Sequence, residues 1–163
     1  SACEKGGEWQ KALELCQSMV KGRVAMNAIT YSAAISACEK GGEWQKALEL
    51  CQSMVKGRVA MNAITYSAAI SACEKGGEWE KVLVLLRVMV QNKVEMNTIT
   101  CSAAISACEK GGQWEKALAL LRVMVRDVVD ADTITFSAAV SACEKGREWE
   151  RALGLLRVMV QDK

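Results

Sequence analysis

The hexapeptide SACEKG begins at Ser1 and returns at Ser36, Ser71, Ser106 and Ser141, a constant step of 35 residues with no insertion. A fixed step of this size across a whole chain means one supersecondary unit stacked on copies of itself. Each unit in such a stack touches only its neighbours, so function is expected on a surface repeated once per unit, not in a single pocket. The residues on offer suit a helical array: 51% are hydrophobic and 25% charged, with no proline and a single Phe. Nothing there favours a β-domain built on turns and aromatics. No apolar run approaches the roughly 18 residues needed to cross a bilayer, so no membrane partner is expected. The net charge of +2 excludes a polybasic arm and leaves room for a thin basic stripe. Ser1-Ala2-Cys3-Glu4 falls inside a repeat, so the sequence is expected to be a piece of a longer chain that carries any targeting segment elsewhere.

The eight cysteines keep to the repeat. Cys3, Cys38, Cys73, Cys108 and Cys143 share one repeat position, Cys16 and Cys51 another, and Cys101 replaces an aromatic. With no C-x-x-C and no His, neither a metal site nor any cofactor is expected, and the thiols read as small buried hydrophobes of a reducing compartment.

One unit resolves into two helices. Tyr31, Ala34, Ile35 and Cys38 fall at i, i+3, i+4 and i+7, the apolar stripe of a first helix. Asn27 stands before it as an N-cap, and Gly41-Gly42 ends it, the first glycine expected to carry the left-handed conformation. Trp44, Ala47, Leu48, Cys51, Met54 and Val55 mark the packed face of a second helix, with Trp44 as a buried wedge. At the exit turn Gly57, Asn92 and Asp127 occupy one position and are expected to supply a left-handed residue. The chain then holds five second helices, four complete first helices and a stub at 1–5. Ala33, Ala34 and Ala37 allow first helices to approach closely, so an all-α solenoid of antiparallel hairpins is expected, with the first helices on its concave side.

The segment Ala28–Asn62, AITYSAAISACEKGGEWQKALELCQSMVKGRVAMN, resembles the pentatricopeptide repeat family from end to end, and the resemblance extends over the whole chain. It divides the single array into complete repeats 28–62, 63–97 and 98–132, flanked by partial repeats 1–27 and 133–163. It implies a right-handed superhelix that binds single-stranded RNA, one base per repeat. The family commonly has Pro before the last repeat residue, where this chain has Met26, Met61, Met96 and Ala131.

By resemblance, the fifth and last residues of a repeat select a base. That implies the pairs Ser32 with Asn62, Ser67 with Asn97, and Ser102 with Asp132, with Asn27 and Ser137 as half-pairs at the ends. The second position, which sandwiches the base, matches Ile29, Ile64, Ile99 and Ile134. The thirteenth, which lies near phosphate, matches Lys5, Lys40, Lys75, Lys110 and Lys145. The family's code implies adenine for Ser with Asn and guanine for Ser with Asp, hence A-A-G over the complete repeats. Independently of the family, Ser32, Ser36 and Lys40 at i, i+4 and i+8 share a helix face opposite the Tyr31/Ile35/Cys38 stripe.

A mitochondrial or plastid setting, a monomer, and other proteins bound through further regions of a parent chain complete the expectation. A tetratricopeptide-like protein scaffold is the alternative, but its period is 34 and its Trp opens the first helix, not the second. An enzyme is not expected. There is no His, no phosphate-binding glycine loop, and only four Asp, all from Asp127 onward, so no nucleophile–base–orienter set assembles. Glu39 and its copies read as a solvated face.

Overall fold

A computed structural model of the chain describes residues 26–126 and 133–148, with scattered positions between 10 and 19 and between 150 and 157. The described residues form seven α-helices and no strand: α1 Ala28–Gly41, α2 Trp44–Lys56, α3 Ala63–Lys75, α4 Trp79–Gln91, α5 Thr98–Lys110, α6 Trp114–Arg126 and α7 Thr133–Lys145. Two compact units contain them, Ser1–Gly76 and Gly77–Lys163. The stub at 1–5, Trp9 and the exit-turn Asp127 lie outside the described residues.

The first helices start where the asparagines stand. Asn27, Asn62 and Asn97 accept the N–H of Thr30, Thr65 and Thr100 on their side-chain oxygens, each at 2.9 Å. Such a cap stabilises a helix by about 1 kcal/mol.

The helix ends correct two expectations. The left-handed residue is the second of each glycine pair, at Gly42 (φ 73°), Gly77 (76°) and Gly112 (67°), and Arg147 takes the same conformation at 59°. The amide of the next residue then closes the turn, Glu43 N–H to Cys38 O and Gln113 N–H to Cys108 O, the hydrogen-bond pattern of a Schellman motif. Second helices end the same way, but on Arg58 (φ 55°) and Lys93 (57°). Gly57 and Asn92, expected to be left-handed, have φ of −75° and −81°.

The first glycine serves a different purpose. A Cβ on Gly76 would lie 2.8 Å from Trp44 Cγ, and one on Gly111 would lie 2.6 Å from Trp79 Cγ. Trp44, Trp79 and Trp114 are half-buried, not enclosed. Each indole lies across the glycine that ends the following first helix. Lys116 Nζ and Arg151 Cζ also sit over the Trp79 and Trp114 rings, 4.3 and 4.5 Å from the centroids, a favourable cation–π placement.

In the first unit α1 packs on α2 and on α3, around Tyr31, Ala34 and Met54. In the second, α5 contacts α4, α6 and α7, around Ile105, Cys108, Leu121, Met124 and Phe136. Of the alanines expected to let first helices approach, Ala34 is buried and Ala37 half-buried, whereas Ala33 is exposed. Val55, expected on the packed face, is 63% exposed.

Cys38, Cys51, Cys73, Cys101, Cys108 and Cys143 are buried thiols outside any disulfide. Burial pushes the Cys51 thiol up to about 12, with Cys73 and Cys38 nearby adding to the shift. Only the thiolate is nucleophilic. Iodoacetamide at pH 8.5 should therefore label Cys51 at least about a hundredfold more slowly in the native protein than in guanidinium, as read by mass spectrometry. The sign for stability comes from the same shift. An unfolded thiol loses its proton near pH 9 and the folded one near pH 12, so this contribution is present below pH 9 and lost as pH rises from 9 to 12.

Candidate nucleic-acid interface

The starts of α1, α3 and α5 each gather a hydroxyl, an amide and a bare hydrocarbon. Ser32, in the second turn of α1, lies 2.6 Å (Oγ to Oγ1) from Thr65 on α3. Thr65 in turn reaches Asn62 Oδ1 with both its N–H and its hydroxyl, each at 2.9 Å. Ser32 and Asn62 are thus joined through Thr65. The second unit repeats the first link: Ser102 Oγ lies 2.5 Å from Thr135 Oγ1. Asn97 caps α5 through Thr100, whose hydroxyl donates to Asn97 Oδ1 at 2.8 Å. Asn27 caps α1 with Thr30 in the same manner. Ser32 and Ser67 are buried to the same degree, 9% exposed; Ser102 is half-buried and Ser137 open. Asp132 lies outside the described residues.

Isoleucine appears in two environments. Ile35, Ile70 and Ile105 are fully enclosed, whereas Ile29, Ile64, Ile99 and Ile134 are 78, 66, 63 and 70% exposed. One exposed Ile is ordinary, but four at the same helical position give every repeat the same apolar spot. Ile29 and Ser32 stand at i and i+3, so hydrocarbon and hydroxyl share one side of the helix.

Lys40, Lys75, Lys110 and Lys145 are exposed, and Lys75 and Lys145 stand in ion pairs with glutamates. Lys75 Nζ lies 2.5 Å from Glu39 Oε1, and Lys145 Nζ 2.5 Å from Glu109 Oε1. Each pair joins a first helix to the one before it. Ser141 also donates to Glu109 Oε1 at 3.1 Å. Burial alone would raise the Glu109 carboxyl, but hydrogen bonds from Lys145 and Ser141, with the charges of Lys145 and Lys110, hold it below its ordinary value. The expectation that these glutamates form a solvated face is corrected: the Glu39 and Glu109 side chains are 24 and 16% exposed. Lys40 and Lys110 are exposed, and Lys5 lies outside the described residues. No cluster of three or more metal-ligating side chains occurs among the described residues, and no described helix is long and apolar enough to cross a membrane.

The Lys–Glu pairs and the threonine links are not legible in local sequence, because their partners are 36 and 33 residues apart. The signal that could have exposed them is the invariance of Thr30, Thr65, Thr100 and Thr135, and of Glu39 and its copies, while neighbouring positions drift.

The pentatricopeptide repeat domain matches residues 10–76, and the single repeat of that family matches 64–94, 99–128 and 134–163. The chain belongs to the pentatricopeptide repeat family. Solved structures of pentatricopeptide repeat proteins share its fold. The domain of that type in protein-only RNase P 1 of Arabidopsis thaliana, in complex with tRNA, has a TM-score of 0.80 at 16% identity, over 98% of this chain and 86% of that one. Nuclear proteinaceous RNase P 2 from A. thaliana gives 0.86 at 12% identity, over 97% of this chain and 36% of that one. Maize PPR10, in complex with an 18-nt psaJ RNA element, gives 0.74 at 21% identity. This chain spans 24% of PPR10. No curated protein shows significant sequence similarity to the chain.

Proposed function

We propose that the chain binds single-stranded RNA, one base per repeat, and that it does so without catalysing a reaction. The observation that carries this reading is the recurrence of Ile29, Ile64, Ile99 and Ile134, exposed apolar side chains standing one helical turn from a hydroxyl, the first three also beside a capping amide. A flat base fits each such site, with an apolar face against the Ile and a polar edge toward the Ser and its paired residue. Family membership supports the reading, as do the RNA complexes of PPR10 and of the RNase P 1 domain.

In this reading the repeats run 28–62, 63–97 and 98–132, between partial repeats at 1–27 and 133–163. Ser32 with Asn62 and Ser67 with Asn97 read adenine, and Ser102 with Asp132 reads guanine. Asn27 and Ser137 are half-sites. The isoleucines pack against the bases, and Lys5, Lys40, Lys75, Lys110 and Lys145 run along the phosphates. Lys75 and Lys145 would exchange a carboxylate for a phosphate, which keeps their contribution modest. The protein acts as a monomer on transcripts of a mitochondrion or plastid.

Fluorescence anisotropy with short RNAs tests this. An A-A-G oligomer should bind more tightly than a U-only RNA or the matching DNA, with a log–log salt slope of about −2 to −3 for three or four lysine contacts. Binding blind to base would reject the pairs and keep the basic stripe. No binding at low salt would leave a protein-binding scaffold as the better reading.

A further inference from the structure

Asn62 and Ser32 face the same threonine, and the geometry fixes which way every proton points. The backbone N–H of Thr65 can only donate, so the Asn62 atom 2.9 Å away is the amide oxygen. That oxygen can only accept, so the Thr65 hydroxyl, also 2.9 Å from it, spends its single proton there. The Ser32–Thr65 contact at 2.6 Å leaves the donor open in principle. With the threonine proton already committed, Ser32 must be the donor. The chain of bonds therefore runs one way, Ser32 to Thr65 to Asn62. Thr65 is fully enclosed, so water does not offer an alternative partner.

We infer that Thr65 is a specificity-positioning residue, which locks Ser32 as an outward acceptor and Asn62 as an outward donor and so favours the edge of adenine, a donor at N6 beside an acceptor at N1, over that of guanine, an acceptor at O6 beside a donor at N1. The inference rests on the proposed reading of Ser32 and Asn62 as a base-selecting pair. Locked in this way, Ser32 can offer a ligand only its lone pairs, and Asn62 only the two protons of Nδ2. The edges of adenine and guanine have opposite order. A serine free to rotate serves either; a serine committed inward serves one. The threonine belongs to the repeat after the one whose base it tunes, and in the second unit Ser102 lies 2.5 Å from Thr135, the same Ser–Thr link.

The test uses the intact chain and two RNAs that differ only in the first base, A-A-G and G-A-G, in competition anisotropy. Thr65→Val keeps the shape and the backbone cap and removes the hydroxyl. It should cut the A-over-G ratio at the first base by roughly five- to tenfold, the worth of one neutral hydrogen bond. Thr65→Ser, which retains the hydroxyl, should restore the ratio. The preference at the third base, set by Ser102 and Asp132, should be unaffected, as should helicity and the salt slope. If Thr65→Val does not fold, Thr65→Ala makes the same comparison. A wild-type preference that survives both hydroxyl-free variants overturns the role of Thr65 and leaves the base-selecting pair standing. A loss at the first and third bases alike also overturns it, because that effect is global. A wild-type chain with no preference at the first base overturns the pair, and the role of Thr65 with it.

Discussion

Gly111→Val is expected to lower the thermal midpoint by about 6–12 °C, the effect of roughly 3 kcal/mol of overpacking in a chain of this size. The backbone at Gly111 is ordinary, with φ of −81°, so conformational strain is not the cause. The cause is the Trp79 indole, whose Cγ would stand 2.6 Å from the new Cβ. Cγ is the root of the ring, so relieving the clash means swinging the whole indole away, with loss of the Lys116 contact 4.3 Å from its centroid. Gly112→Arg should cost only about 1 kcal/mol, the strain of one left-handed residue. Nothing lies within 4 Å of its Cβ, and Arg147 already occupies the equivalent place at φ 59°. Circular dichroism melts distinguish the two, and equal losses would refute the steric account. A further check is available in the double variant. Adding Trp79→Ala to Gly111→Val should cost less than the two single changes summed, because the ring that clashes is gone.

The second large effect concerns the third base. Asp132→Asn is expected to turn its preference from guanine to adenine, a change of about ten- to a hundredfold in the ratio of affinities. An ionised Asp only accepts, which suits the N1–H and amino group of guanine; Asn supplies N–H donors, which suit adenine N1. Competition anisotropy with A-A-G and A-A-A oligomers reads the exchange. An unchanged ratio would break the assignment of Asp132 to that base while leaving the first two pairs untouched.

Much of the fold was legible in the residues alone. The step of 35 implied repeating helices, and Asn27, Asn62 and Asn97 announced where the first helices begin because a cap is a local matter of three residues. What failed was the division of labour within Gly41-Gly42 and its copies. Glycine can be required for a positive φ or for the absence of a Cβ, and a sequence does not distinguish the two. The first glycine is not the left-handed one, since Arg147 itself takes a positive φ at the second position; it is the tryptophan of the preceding second helix that demands the first. The same limit hid the partners of Glu39 and Ser32. Their roles are set by the residue one repeat away, so no window of local pattern contains both ends of the contact.

The threonine that closes the Ser32–Asn62 pair has a consequence for how such arrays could be rearranged. Under the proposed function, the boundary of a base-reading cassette is not the boundary of a hairpin. It extends from Ser32 through Asn62 to Thr65, and from Ser102 to Thr135, so a graft cut at the hairpin edge would transplant two letters of a three-letter device and inherit the third from its new neighbour. Shuffling that respects the cassette should move base preference intact, whereas shuffling by hairpin should tie the preference of each site to the repeat placed after it.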